Sequence, residues 1–186
     1  MNETFERLAK HKIVPVVTIN DVEAAVPLAQ QLLADGYACM EITFRTGAAV
    51  ASVRAIVQAF PQLLVGAGTV LTTAQADEAA AAGASFMVAP GLREEVVRHC
   101  QQMGVPMIPG VMTPGDIERG LALGLTHMKF FPAQAAGGVA MLRALAAPYG
   151  MVRFMPTGGI NPGNVADYLA LPCVFACGGS WMTKEH

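Results

Sequence analysis

Apolar, β-rich runs recur along the chain roughly every 20 to 26 residues, beginning near Ile13, Ala38, Leu63, Phe86, Pro106, His127, Arg153 and Cys173. Between them lie alanine- and leucine-rich stretches with helical spacing, at 22–34, 48–59, 74–82, 94–103, 117–123, 139–147 and 165–169. Each period reads as one strand followed by one helix. Asp21, Thr73 and Asn161 precede helix-like stretches and carry capping side chains, while Pro114 and Pro162 suit a first helical turn. Gly36, Gly83, Gly104 and Gly124 stand where a helix end asks for a positive φ.

Near-continuous apolar runs such as Ile13-Val-Pro-Val-Val-Thr-Ile19 indicate a parallel sheet covered by helices. Eight such units in order predict an α/β protein with a (β/α)8 TIM barrel, a single domain over 1–186. A doubly wound open sheet is the runner-up, but no G-x-G-x-x-G follows the first strand, and Pro15 within that strand suits neither arrangement. Residues 2–10, with Phe5 and Leu8 on one helical face, predict a short N-terminal helix capping the barrel's bottom. After the eighth run the chain offers only Ser180-Trp-Met-Thr-Lys-Glu-His186, so the pattern predicts a barrel lacking its last helix. Either the chain is truncated or another subunit or element covers that face.

The composition narrows the function. With 53% hydrophobic and only 14% charged residues, the chain has a large buried fraction, yet no apolar run reaches the ~18–20 residues of a membrane helix. The amino terminus carries acids and no apolar signal core, which predicts a cytoplasmic protein. A net charge of −2 without a basic block argues against nucleic acid as partner and for a small-molecule ligand. Cys39, Cys100, Cys173 and Cys177 form no C-x-x-C pair and read as reduced thiols in apolar segments. The 11 methionines read as core filler.

Chemistry concentrates at strand ends, where a barrel builds its active site. Of four lysines, Lys10 and Lys12 flank the first apolar stretch and Lys184 lies in the tail, whereas Lys129 sits inside the run His127-Met-Lys-Phe-Phe-Pro132. Burial favours the neutral amine, a nucleophile that condenses with ketones. The alternative is a strand-end lysine whose stem packs and whose head reaches water or a carboxylate. In Ala38-Cys-Met-Glu-Ile-Thr-Phe-Arg45, a period of two places Glu41, Thr43 and Arg45 on one face. Glu41, the only one of 14 acids within a strand-like run, reads as an acid/base beside an anion receptor, or else as half of a Glu–Arg ion pair.

Strand three ends Val65-Gly-Ala-Gly-Thr69, whose glycines let a substrate approach the backbone and whose threonine supplies a hydroxyl. Met87-Val-Ala-Pro90-Gly91 and Ile108-Pro-Gly110 read as strand-to-loop exits. The glycine doublets of Pro156-Thr-Gly-Gly-Ile-Asn-Pro162 and Ala176-Cys-Gly-Gly-Ser180 fall after strands seven and eight, where barrels bind phosphate through backbone N–H groups; tight turns are the alternative. His11, His99 and His186 read as surface residues, and His127 as lying one layer below Lys129. No histidines or acids have metal-ligand spacing, which disfavours a divalent-metal aldolase or hydrolase.

Six motifs, Glu41-Ile-Thr-Phe-Arg-Thr46, Gly66-Ala-Gly-Thr-Val-Leu71, Ala89-Pro-Gly91, Lys129-Phe-Phe-Pro-Ala133, Pro156-Thr-Gly-Gly-Ile160 and Gly178-Gly-Ser-Trp181, resemble in order and spacing those of the 2-keto-3-deoxy-6-phosphogluconate (KDPG) aldolase family. The resemblance implies a class I aldolase that cleaves 2-dehydro-3-deoxy-6-phosphogluconate to pyruvate and glyceraldehyde 3-phosphate, and also acts on 4-hydroxy-2-oxoglutarate. It implies Lys129 as Schiff-base lysine, Glu41 as general acid/base, and Arg45 and Thr69 as contacts to the pyruvyl carboxylate. Pro90 and Phe131 would line the pocket, while Thr157, Gly158, Gly159, Gly179 and Ser180 would serve the substrate's hydroxyls and phosphate. It further implies a homotrimer needing neither metal nor organic cofactor. An aldolase for the phosphogalactonate epimer or an unphosphorylated keto acid, and a catalytically silent phosphosugar-binding barrel, are the alternatives.

Overall fold

The computed structural model describes residues 3–183, so Lys184, His186 and the first residue of the expected N-terminal helix, Asn2, lie outside the described residues. Helix α1 (Glu3–His11) leads into β1 (Ile13–Val17), and a 3-10 turn (Val22–Ala24) opens α2 (Ala25–Ala34). Then follow β2 (Cys39–Thr43), α3 (Ala49–Ala59), β3 (Leu64–Gly68), α4 (Thr73–Ala81), β4 (Phe86–Val88) and α5 (Glu94–Gln102). The second half runs β5 (Met107–Ile108), β6 (Gly110–Val111), α6 (Pro114–Ala122), β7 (His127–Phe130), α7 (Gly138–Ala146), β8 (Arg153–Pro156), α8 (Val165–Leu169) and β9 (Cys177–Gly179).

All strand pairs are parallel. Six strands, in the order β5-β4-β3-β2-β1-β9, form a curled half-barrel, and β6-β7-β8 form a second sheet of three. The strand expected near Pro106 is two short pieces because Pro109, which has no N–H to donate, stands between them. Its carbonyl still accepts from Lys129 N–H at 2.9 Å. Isolated parallel bridges, Phe154 with Val174 and Thr157 with Gly178, run from β8 towards β9. The last strand starts at Cys177, later than expected, because Cys173 is held in a turn in which Val174 N–H reaches Leu171 O. Pro15 is tolerated in β1, opposite Gly179, which presents no side chain to its ring. Among the described residues no helix follows β9; Thr183 N–H closes a turn onto Ser180 O.

Local chemistry explains several helix ends. Asp21 accepts from Glu23 N–H, and Thr113 with Asp116 forms a capping box ahead of Pro114, which starts α6 three residues before the apolar pattern does. Thr72, not Thr73, caps α4, accepting from Gln75 N–H. Pro162 and Asn161 sit in the turn before α8, where Asn161 accepts from Gly163 N–H. Gly36, Gly83, Gly104 and Gly124 all have φ between 72° and 97°, closing α2, α4, α5 and α6. Burial holds Cys39 and Cys177 up to about 12 and Cys100 up to about 11, so these free thiols pack as apolar groups.

The helices cover the outer faces of both sheets, while Leu8, Val14, Cys39, Leu64, Phe86, Ile108 and Met155 fill the space between the strands. Helix α1 closes one end of that interior: Leu8 is fully buried, and the Phe5 ring stacks on His127 with centroids 4.1 Å apart. Burial, with the Arg153 guanidinium second, holds the His127 imidazole below its ordinary 6.5. The folded protein therefore binds fewer protons than the unfolded chain between that lowered value and 6.5. Stability present above 6.5 is lost as pH falls through the folded value. His11, lowered by burial and then by Lys10 and Arg7, adds in the same direction. The variant His127→Phe, which keeps a ring against Phe5, is expected to show a shallower fall of Tm between pH 7 and pH 5 than the parent; parallel curves would remove this account.

Candidate functional site

The ends of β1, β2, β7, β8 and β9 surround a cavity of about 380 Å³. Seven residues singled out from sequence line it: Arg45, Phe131, Thr157, Gly158, Gly159, Gly179 and Ser180. Lys129 lies beside it, its Nζ 5.0 Å from the centre of the Phe131 ring that forms part of the wall.

Strand pairing brings the reactive groups together from separate elements. Lys129 on β7 is 5% exposed and Glu41 on β2 is 1% exposed, and Nζ stands 3.6 Å from Glu41 Oε1. That distance is too long for a good hydrogen bond and short enough for a strong charge contact in a poorly hydrated site. The other carboxylate oxygen, Oε2, is buried without a hydrogen-bond partner. Room for the carboxylate comes from Gly68 on the neighbouring strand, since a Cβ there would overlap Glu41 Oε1. The next residue, Thr69, has φ 60°, a left-handed conformation costly for a side chain branched at Cβ.

The period of two along β2 holds beyond its last paired residue. Thr43 Oγ1 lies 3.0 Å from Thr18 Oγ1, and Arg45 donates from Nη2 to the same Thr18 oxygen at 2.8 Å. Arg45 is therefore not the partner of Glu41; it faces the cavity from the exit of the strand. Thr46 donates to Ile19 O at 2.5 Å, tying the β2 exit to the β1 exit.

The opposite wall is backbone. Gly158 and Gly159 have φ of 98° and 78°, where side chains are strained. Their turn is fixed by Ala133 N–H to Thr157 O and Gln134 N–H to Gly158 O, and Tyr168 donates to Gln134 Oε1 at 2.9 Å. Gly178 leaves space for Thr157 Oγ1, and Gly179 for the Trp181 ring, which a Cβ there would overlap.

Two residues singled out from sequence stand elsewhere: Thr69 does not line this cavity, and Pro90 lines two adjoining ones of about 260 and 300 Å³, the latter sharing Phe131. Sequence reasoning missed Val16, Thr18, Ile160 and Thr183, which do line it. Continuing the alternation Val14, Val16, Thr18 along the first strand would have found two of these. Among the described residues no three histidines, cysteines or acids cluster as metal ligands, and no helix is long and apolar enough to cross a membrane.

A family model described as KDPG and KHG aldolase matches residues 5–186. Over 182 residues, 98% of this chain and 87% of the other, the sequence is 54% identical to the 2-dehydro-3-deoxy-phosphogluconate aldolase of Treponema pallidum (strain Nichols). The crystal structure of a Legionella pneumophila KDPG aldolase, with pyruvate captured at low pH as a covalent carbinolamine intermediate, matches with a TM-score of 0.95 at 41% identity, over 99% of this chain and 89% of that one. The 2-keto-3-deoxy-6-phosphogluconate aldolase of Zymomonas mobilis ZM4, solved with 3-phosphoglycerate, matches with a TM-score of 0.91 at 38% identity, over 95% and 85% of the two chains.

Proposed function

The chain belongs to the KDPG and KHG aldolase family of class I aldolases, and from that premise we propose how its own residues cleave 2-dehydro-3-deoxy-6-phosphogluconate to pyruvate and glyceraldehyde 3-phosphate. The observation that carries the reading is the buried amine of Lys129 at 3.6 Å from Glu41, beside a cavity with the Arg45 side chain on one wall and glycine backbone on the other. Lys129 attacks the C2 ketone, and the carbinolamine loses water to give a protonated imine. Glu41, directly or through a water, moves the protons of that condensation and takes the C4 hydroxyl proton as the C3–C4 bond breaks. The bonding electrons flow into the imine, leaving an enamine that takes up a proton at C3 and is hydrolysed to pyruvate. The chain thus supplies its own electron sink.

Arg45 holds the carboxylate and so fixes the ketone against the amine, while Thr69, a carboxylate contact by family resemblance, stands outside the cavity that Arg45 lines. Phe131 walls the pocket, and Pro90 walls the adjoining cavity that shares Phe131. Thr157, Gly158, Gly159, Gly179 and Ser180 receive the hydroxyls and the phosphate. The same pyruvyl half is present in 4-hydroxy-2-oxoglutarate, which is cleaved to pyruvate and glyoxylate. The two sheets make one (β/α)8 barrel in a single domain: β5 and β6 are halves of one strand broken at Pro109, and the Thr157–Gly178 bridge supports closure between β8 and β9. A homotrimer in the cytoplasm follows from the family resemblance.

Borohydride reduction in the presence of pyruvate, followed by peptide mapping, tests the reading. A reduced pyruvyl adduct on Lys129 is expected, and a folded protein that gives no adduct refutes it. For the phosphate end, Ser180→Asp is expected to raise KM for the phosphorylated substrate at least about tenfold by like-charge repulsion, with little change for 4-hydroxy-2-oxoglutarate. Equal effects in steady-state assays of the two substrates would remove that assignment.

A further inference from the structure

We propose that Thr18 is a positioning residue that sets the charge specificity of the site by orienting Arg45. The inference rests on the reading that Arg45 receives a carboxylate. Arg45 is exposed at the exit of β2, and an arginine there has many rotamers, whose loss on binding weakens any carboxylate grip. The hydrogen bond that steadies it comes from another strand: Nη2 donates to Thr18 Oγ1 at 2.8 Å. Thr18 is itself held, because its Oγ1 stands 3.0 Å from the hydroxyl of Thr43, which is 2% exposed. Thr43 lies on β2 two residues from Glu41 and two from Arg45, so the hydroxyl pair locks the arginine to the same strand face that carries the acid/base.

The donor count decides what this arrangement does. A guanidinium has five N–H groups in a rigid plane, and fixing one of them on Thr18 fixes the direction of the rest. Thr18 and Arg45 both line the cavity, so the remaining edge of that plane is presented to a bound anion. The Thr18 oxygen accepts from Arg45, and the same hydroxyl pairs with that of Thr43, with either one able to donate. Thr18 therefore acts through Arg45 without touching the reacting atoms, and its effect is confined to substrates bearing a carboxylate next to the ketone.

The test compares pyruvate with methyl pyruvate, which presents the same ketone without the negative charge, in borohydride trapping by the parent, Thr18→Val and Thr18→Ser. Thr18→Val keeps the shape and removes the hydroxyl. The expected result is a loss of roughly 3- to 30-fold in the concentration dependence of pyruvate trapping and a matching rise in KM for the keto acid substrate, with kcat within about twofold. Methyl pyruvate trapping stays at the parent's level, and Thr18→Ser restores pyruvate to within about threefold of it. Equal losses on both ketones, a fall in kcat alone, or no change in KM would overturn the proposal while leaving the lysine chemistry intact. No adduct in the parent protein overturns the lysine reading, and this inference with it.

Discussion

With Lys129 replaced by alanine, pyruvate is expected to leave no borohydride-stable adduct and aldol cleavage to fall by at least ~10³-fold. No other lysine among the described residues can substitute, since Lys10 and Lys12 lie in or just after α1, outside the strand ends that surround the cavity. The substitution also removes the amine facing Glu41 and leaves a carboxyl group 1% exposed without its partner. Breaking a buried pair from one side costs about 3–5 kcal/mol, so urea unfolding should show a lower midpoint alongside the lost activity. The double variant Lys129→Met with Glu41→Gln separates the two effects: stability recovers in part because no charge is left buried, and activity does not recover at all. Turnover above background in either variant would disprove Schiff-base catalysis at this lysine.

The second large effect is expected from a single methyl group. In Gly68→Ala the new Cβ occupies the volume of Glu41 Oε1, and with β2 and β3 paired residue by residue from Cys39–Leu64 to Thr43–Gly68, the backbone cannot open to admit it. The carboxylate must move instead. A shift of about 1 Å in a proton-transferring group costs on the order of 10²-fold, so kcat is expected to fall by that factor while far-UV circular dichroism keeps the parent's spectrum. Pyruvate binding depends more on Arg45, so KM should change little. A variant with full kcat would mean that Glu41 is not held where the strand register puts it.

Much of this was legible because the strands are buried on both faces and the helices are rich in alanine and leucine, which makes the two periods easy to separate. The pair Lys129 and Glu41 could be found because a charge in an apolar run has few explanations. Other features depend on pairings that a single strand cannot reveal. Glu41 could have met Arg45, which lies on its own face four residues away; only the placement of β7 against the interior gives it Lys129 instead. Thr18 looked like the tail of an apolar run until β2 brought Thr43 and Arg45 to it. The cap at Thr72 was masked by an identical neighbour, and Ile108-Pro-Gly110, which reads as a strand exit, is followed at once by a further strand, Gly110–Val111.

That break has a consequence for how ligand and protein hold one another. Lys129 belongs to the sheet of three strands, whereas Glu41 belongs to the sheet of six and Arg45 follows directly from the end of its β2. A keto acid whose carbonyl carbon is bonded to the one and whose carboxylate is gripped by the other is a tie across the seam. Its occupancy should therefore be readable far from the cavity, as slower amide hydrogen exchange in β6 and β8, the strands flanking the modified lysine, with the outer faces of α3 and α4 unchanged. The substrate would then serve, for the lifetime of the imine, as a structural member of the enzyme that consumes it.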